Sequence, residues 1–413
     1  MLGTLFVTVV GWDNGLAGTP PMGWCVWNAR HRNFTEDVFY STANQMASNG
    51  LQPAGYDRVN VDGGWWEGAD TGTIVRNATG FPQWNKAKFP RGLSALIDHV
   101  HSLGLKWGHY TDAGKHACNG DKPMSEGYEF QDAALFAEWG ADMLKVDACG
   151  DVEDHTVIVP RWRKAIEATN RPILLSNCHN GCQTDARNRP NKTRPDYTPD
   201  WLPDDICRMN ANMWRSSADI HFEWSSFLYN FDSLKGRGHY GKPGAWNDPD
   251  FLELGLGEFA YDPADPVTLD KNRAHFAAWA ITSAPLILGF DMPAPKALMD
   301  IVTNRLAISV NQQYAGDAGD FLRPSPHDPS LEFWAKPLPA GGAAALFINR
   351  NDTRAAKPMS YQLIELDGLP AGAHRCTATD VWSGATRRVG PTVESAALGP
   401  FAAQFLVFTA CDV

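Results

Sequence analysis

The run Asp142-Met143-Leu144-Lys145-Val146-Asp147-Ala148-Cys149-Gly150 decides how the rest of the chain is read. Met143, Leu144 and Val146 are apolar and interleave with Lys145 and Asp147, the pattern of a short strand with distinct faces. A period of two places Lys145, Asp147 and Cys149 on one face, and Gly150 ends the strand. A lysine two residues before an aspartate at the end of an apolar strand is costly to bury unless the charges answer each other or a ligand. A salt bridge closing a strand is the blander reading. The sequence on either side favours a site.

Working outward, one cycle recurs from Met22 to about Met292: a short apolar strand, a polar strand end, then an amphipathic helix. The strands are expected at Met22–Trp27, Arg58–Asp62, Lys106–Thr111, Met143–Asp147, Pro172–Asn177, Met213–Ser217, Ala245–Asn247 and Pro285–Phe290. Between them, Leu93, Leu96, Ile97, Val100 and Leu103 have the spacing of a buried helical stripe. Gly50, Gly104 and Gly140 sit where helices end in a left-handed residue, and Thr35 before Glu36 and Asp37 is placed as an N-cap. Eight strands alternating with helices define an α/β chain folded as a (β/α)8 TIM barrel. A doubly wound open sheet is the alternative, but no Gly-rich phosphate fingerprint follows the first strand.

After about Tyr314 the texture changes. Glu332–Lys336, Ala343–Asn349, Ser360–Ile364, Val381–Ser383 and Gln404–Thr409 are short alternating segments between Gly/Pro turns, as in an antiparallel β-sandwich. The expected division is a signal-like or truncated segment over 1–12, a catalytic barrel over 13–313 and a β-sandwich over 314–413. Asn188–Asp205, rich in Pro, Asp, Arg and Asn, reads as a long loop on the barrel's top face.

Hydrophobic residues make up 44% of the 413 and charged ones 20%, which is ordinary for a globular chain. A net charge of -11 argues against binding nucleic acid or anionic lipid through bulk electrostatics. No run of about 18 uninterrupted apolar residues exists, so membrane insertion is not expected. The apolar start, Met1–Val10, lacks a basic region and reads as a weak or truncated secretion signal. Four sequons, at Asn33, Asn77, Asn191 and Asn351, and eight cysteines also fit an oxidising, secretory compartment. The expectation is a secreted or extracellular protein, with lysosome or vacuole as the other destinations, acting as a monomer or homodimer. The sixteen tryptophans are read mainly as core, although aromatic faces also stack on sugars.

In a barrel of this kind, polar residues at strand C-termini carry the chemistry. In order these are Trp27, Asp62, Tyr110 with Asp112, Lys145 with Asp147, His179, Arg215 with Asp219, and Asp248 with Asp250. Carboxylates and aromatics dominate, with no Ser-His-Asp arrangement and no His-rich metal set. That mixture suits sugar binding and glycosidic cleavage, in which one carboxylate attacks and another gives a proton. No cofactor and no metal are expected.

Six motifs taken together in order carry a family resemblance. They are Thr19-Pro-Pro-Met-Gly-Trp24, Phe89-Pro-Arg-Gly92, Gly108-His-Tyr-Thr-Asp-Ala-Gly114, Leu144-Lys-Val-Asp-Ala-Cys149, Trp214-Arg-Ser-Ser-Ala-Asp-Ile220 and Trp246-Asn-Asp-Pro-Asp250. With them the chain, from Asp13 to its C-terminus, resembles glycoside hydrolase family 27, which contains α-galactosidases and α-N-acetylgalactosaminidases. The resemblance implies Asp147 as nucleophile and Asp219 as general acid/base, with Trp27, Asp62, Tyr110, Lys145, Arg215 and Asp250 contacting a bound sugar. It also implies a disulfide between Cys118 and Cys149. The residues agree with this: Lys145 would help keep Asp147 ionised, Asp219 would need a raised pKa to deliver a proton, and Arg215, four residues before it, would orient it.

Two positions depart from the family's pattern. Asp62-Gly63-Gly64-Trp65 stands where the family usually has two adjacent aspartates, and His179 replaces a glutamate expected near the sugar's 2-position. Both touch specificity and leave the catalytic pair in place. Cys178, His179, Cys182 and Cys207 admit a zinc reading, but neighbouring cysteines in a secreted loop favour a disulfide of Cys207 with either Cys178 or Cys182. His99 and His101 read as surface residues on a helix. The reaction expected is retaining exo-hydrolysis of terminal α-D-galactosyl residues from a carbohydrate substrate. The same mechanism on an α-N-acetylgalactosaminide or β-L-arabinopyranoside is the alternative, and a silent carbohydrate-binding protein is a further one. Retention of both Asp147 and Asp219 argues against the last.

Overall fold

The computed structural model describes residues 12–152, 155–178 and 204–413. Eight parallel strands form its first half: β1 Met22–Cys25, β2 Arg58–Asn60, β3 Lys106–Asp112, β4 Met143–Asp147, β5 Leu174–Asn177, β6 Met213–Arg215, β7 Trp246–Asp248 and β8 Leu286–Leu288. They pair in the order β7-β6-β5-β4-β3-β2-β1-β8. A parallel bridge between Leu252, just after β7, and Leu288 of β8 curls the sheet shut. Helices alternate with the strands: α1 Glu36–Ser48, α2 Leu93–Ser102, α3 Glu129–Trp139, α4 His155–Ala168, α5 Asp204–Asn210, α6 Trp224–Asp232, α7 Pro266–Ile281 and α8 Arg305–Gln312. Four strands, β1, β2, β6 and β8, stop two residues before the end of their expected runs, where the chain turns into the loops that carry the site; β3 runs one residue further than expected, and β4 matches its run.

The sequence signals act as their chemistry requires. The α2 stripe of Leu93, Leu96, Ile97 and Val100 is fully buried against the sheet. Thr35 does occupy the N-cap of α1, but its hydroxyl makes no capping bond there. Most of the tryptophans are buried. Of the stretch read as a loop, Asn188–Asp205, only the last two residues are described, where they open α5.

The second half holds a six-stranded antiparallel sheet and a two-stranded one. The strands are β9 Asp320–Pro324, β10 Leu331–Leu338, β11 Gly342–Asn349, β12 Ser360–Gln362, β13 Arg375–Asp380, β14 Thr386–Val389, β15 Thr392–Glu394 and β16 Ala403–Asp412. Alternation gives the large sheet two buried faces. Trp334, Leu346 and Phe405 join the barrel's core, whereas Phe333, Phe347 and Phe408 pack with Tyr361 and Val393 of the small sheet. Val381–Ser383, expected as a strand, is instead the turn between β13 and β14. Asp380 Oδ1 accepts from the Ser383 amide and hydroxyl there, and Gly384 follows at φ 71°. Val381 is apolar because it is buried in the barrel's core, not because it lies in a strand. The halves are locked by Phe231 stacked on Trp334 at 4.0 Å and by Arg350 paired with Asp232.

Candidate active site

The register of β3 and β4 sets Tyr110 beside Lys145 and Asp112 beside Asp147. The loops beyond interlock: Ala113, Gly114 and Lys115 donate to the carbonyls of Asp147, Cys149 and Gly150. Gly150 has φ 88°, and a Cβ there would lie 2.1 Å from the His116 carbonyl oxygen, so no other residue fits the crossing. The Cys118–Cys149 disulfide, with Cα atoms 4.9 Å apart, staples these two loops as the resemblance implies.

Within this frame Asp147 is buried. Its Oδ1 accepts from the Ala148 amide at 2.8 Å, and its Oδ2 lies 3.2 Å from the Tyr110 hydroxyl. Lys145 takes a long-range partner, donating to Asp62 Oδ2 at 2.7 Å. Burial works against its ammonium, but Asp62 and Asp147 outweigh that and hold its pKa well above the usual lysine range. The same Nζ lies over the rings of Tyr110 and Phe251, at 5.2 and 5.3 Å.

On the opposite wall, Arg215 at the end of β6 bridges two carboxylates. Its guanidinium lies 3.1 Å from Asp219 Oδ1 and 2.8 Å from Asp250 Oδ2. Asp219 stands at the mouth with 61% of its side chain exposed, in contrast to buried Asp147. Asp250 is held in a conformation rare for a non-glycine residue, φ 90°. Three bonds fix it: its amide donates to Asp248 Oδ1, its Oδ2 accepts from the Ile220 amide, and its carbonyl accepts from Trp279 Nε1. Burial and the neighbouring Asp250 push Asp248 up to about 6, against the pull of Arg215.

Of the ten described strand-end candidates, Trp27, Asp62, Tyr110, Lys145, Asp147, Arg215, Asp219 and Asp250 line one open cleft of about 800 Å³, including every residue the resemblance implies, while Asp112 and Asp248 lie outside its lining. His179 lies outside the described residues. The cleft also includes Asn28, His31, Phe222 and Phe251, which the sequence reading passed over. Phe251 carried the one available signal, its place directly after Asp250 at a strand end. Donor atoms of Asp112, Cys118, Asp147 and Cys149 lie within 4.8 Å of one another, but both sulfurs are tied in the disulfide and offer no thiolate to a metal. Cys207 is disulfide-bonded, which removes it from the zinc reading, and Cys178 is a thiol and so not its partner. His99 is half-buried on its helix and bonded to Asn44, while His101 pairs with Asp142 on the outside of the barrel.

A (β/α)8 barrel whose strand ends converge carboxylates, paired cations and aromatic rings on one open cleft is a glycoside hydrolase in class. The alpha-galactosidase A family model matches residues 19–313, and the alpha-galactosidase C-terminal β-sandwich model matches residues 328–408. The chain belongs to glycoside hydrolase family 27, the α-galactosidase family. It is 35% identical to an alpha-galactosidase of Cyamopsis tetragonoloba over 402 residues, covering 96% of this chain and 88% of that one. An alpha-N-acetylgalactosaminidase of Gallus gallus is 33% identical over 395 residues, covering 90% and 88%. The crystal structure of alpha-galactosidase I from Mortierella vinacea superposes with a TM-score of 0.80 at 25% identity, covering 96% and 98%.

Proposed function

We propose that the cleft holds a terminal α-D-galactosyl unit and hydrolyses its glycosidic bond by double displacement. The observation that carries this is the contrast between two carboxylates of one cleft. Asp147 is buried and held by hydrogen-bond donors, as a nucleophile must be, whereas Asp219 is exposed at the mouth where a leaving group departs. Asp147 attacks the anomeric carbon while Asp219 protonates the departing oxygen. Asp219 then takes a proton from water, which displaces Asp147 and releases the sugar with its configuration retained. The Lys145–Asp62 and Arg215–Asp250 pairs give the sugar hydroxyls fixed donors and acceptors, and Trp27 an aromatic face. The choice of galactoside follows the named activity of the curated relatives.

Two disulfides among the described residues and the exposed sequon asparagines Asn33 and Asn77 support a secreted glycoprotein. No helix among the described residues is long and apolar enough to cross a membrane.

The test is hydrolysis of an aryl α-galactoside followed by NMR. The first-formed sugar is the α-anomer, Asp147→Asn abolishes turnover, and Asp219→Asn spares substrates with good leaving groups far more than poor ones. A β-anomer as first product, or cleavage of an α-N-acetylgalactosaminide in preference, overturns the reading.

A further inference from the structure

We propose that Asp112 is a positioning residue that carries a proton in the working enzyme and turns the Tyr110 hydroxyl toward Asp147. The argument is one of counting hydrogens. Tyr110 Oη lies 2.9 Å from Asp112 Oδ1 and 3.2 Å from Asp147 Oδ2, and a phenol has a single hydrogen to give. If both aspartates were ionised, one of two buried carboxylates would face an oxygen lone pair.

The second neighbour of Asp112 Oδ1 is the sulfur of Cys118, at 3.2 Å. As half of a disulfide it has no hydrogen to donate. The cations of the cleft are taken up elsewhere, Lys145 by Asp62 and Arg215 by Asp219 and Asp250, and among the described residues no ion pair includes Asp112. Asp112 is fully buried, and its Oδ2 has no hydrogen-bond partner. The charged groups around it are Asp147, Asp62 and Lys145. Burial first and Asp147 second push its carboxyl well above the usual carboxylate range.

A proton on Asp112 Oδ1 resolves these contacts in one direction. Asp112 donates to the Tyr110 oxygen, and Tyr110 donates its own hydrogen to Asp147 Oδ2. The Ala148 amide holds the other oxygen, Oδ1. Each oxygen of the attacking carboxylate thus faces a donor. A neutral Asp112 also adds no second negative charge beside it.

This inference rests on Asp147 being the attacking carboxylate, and the experiment separates the two. Asp112→Asn replaces a neutral acid by a neutral amide that can still donate to Tyr110. The acid limb of its kcat/KM profile on an aryl α-galactoside is expected to coincide with that of the wild type. Removing a true carboxylate this close to Asp147 would move that limb to lower pH by about one unit, and such a shift overturns the proposal. Asp112→Leu, which leaves the Tyr110 oxygen without a donor, is expected to lower kcat by about 2- to 10-fold, the range carried by one neutral hydrogen bond. In a Tyr110→Phe background that loss should vanish, because the relay is already cut. A loss that persists there assigns Asp112 a merely structural role and sinks the relay. Should Asp112→Leu not fold, the Asp112→Asn profile alone decides. Turnover retained in Asp147→Asn would instead remove the underlying reading.

Discussion

Lys145→Met is the substitution whose cost the structure sets most directly. Lys145 and Asp62 are 13% and 3% exposed in their side chains and meet at 2.7 Å. Removing the ammonium leaves Asp62 with the Gly63 amide on Oδ1 and only the weak thiol donor of Cys25, 3.9 Å from Oδ2. Breaking one side of a buried pair costs about 3–5 kcal/mol, since an uncompensated charge stays behind. With an unfolding entropy of about 2.1 cal/mol/K per residue, a chain of this length should melt about 4–6 °C lower. The deficit should depend on pH in a defined sense. Burial already raises the pKa of Asp62, and Lys145 opposes that shift. Without the lysine, the folded-state pKa climbs further above the unfolded value of about 3.9. The folded chain then binds the extra proton, so stability is complete below about pH 4 and is lost as pH rises through the folded pKa. Melting of the variant should therefore approach that of the wild type at pH 4–5 and fall furthest behind above neutrality. Adding Asp62→Asn removes the stranded charge, since the amide oxygen still accepts from Gly63, and should restore most of the melting temperature without restoring activity. Differential scanning calorimetry across pH is the assay. A single variant that melts with the wild type, or a double variant that melts lower than either single one, would refute the reasoning.

Three further outcomes are expected. Replacing Cys118 and Cys149 by serine frees a loop of 31 residues; a chain-entropy estimate puts the loss at roughly 3–4 kcal/mol, readable as a lower urea midpoint, and kcat should fall with it because both loops flank Asp147. Asp248, raised to about 6, contributes stability below about pH 4 that is lost as pH rises through 6, so Asp248→Asn should flatten that slope by up to about 3 kcal/mol in denaturant titrations at pH 4 and 7. Gly63→Asp has room for its Cβ, which would meet Tyr110, Trp66 and Trp27 at 3.5, 3.7 and 3.8 Å; a carboxylate on that wall should raise kcat/KM on an aryl α-galactoside by about one to two decades, and no gain would show that Gly63 does not govern specificity.

The site was legible where periodicity alone decides it. Strand ends are found by counting in twos, and in a parallel barrel the polar residues within about two positions of those ends gather at one mouth. That placed Asp62, Tyr110, Asp147, Arg215 and Asp250 among the candidates before any distance was known, and the family resemblance chose Tyr110 over Asp112 and Asp250 over Asp248. The apolar floor was not legible, because a phenylalanine beside a polar strand end, as Phe251 is, reads like core. The turn at Val381–Ser383 misled for a related reason: its valine is buried across the join between the two halves, so burial imitated a strand.

Partnership was the other illegible layer, and it sets the charge a substrate meets. Local spacing gave Lys145 to Asp147, two residues on. Alternate side chains on one strand rise side by side, however, and cannot close on each other as groups from facing strands can. The fold gives the ammonium's hydrogen bond to Asp62, 83 positions away in sequence, at 2.7 Å. Arg215 was assigned to Asp219 by its spacing of four, and that contact is real, but the shorter one is to Asp250. Each cation therefore answers first to a carboxylate of the wall. Asp219 shares its arginine at the open mouth, and Asp147 accepts from the Ala148 amide and the Tyr110 hydroxyl, with no bond from Lys145. A carboxylate not locked to a lysine at contact distance keeps more of its nucleophilic charge. On that ground the displacement of Lys145 onto Asp62, which sequence could not foresee, favours Asp147 as the attacking group more strongly than the pairing the sequence suggested.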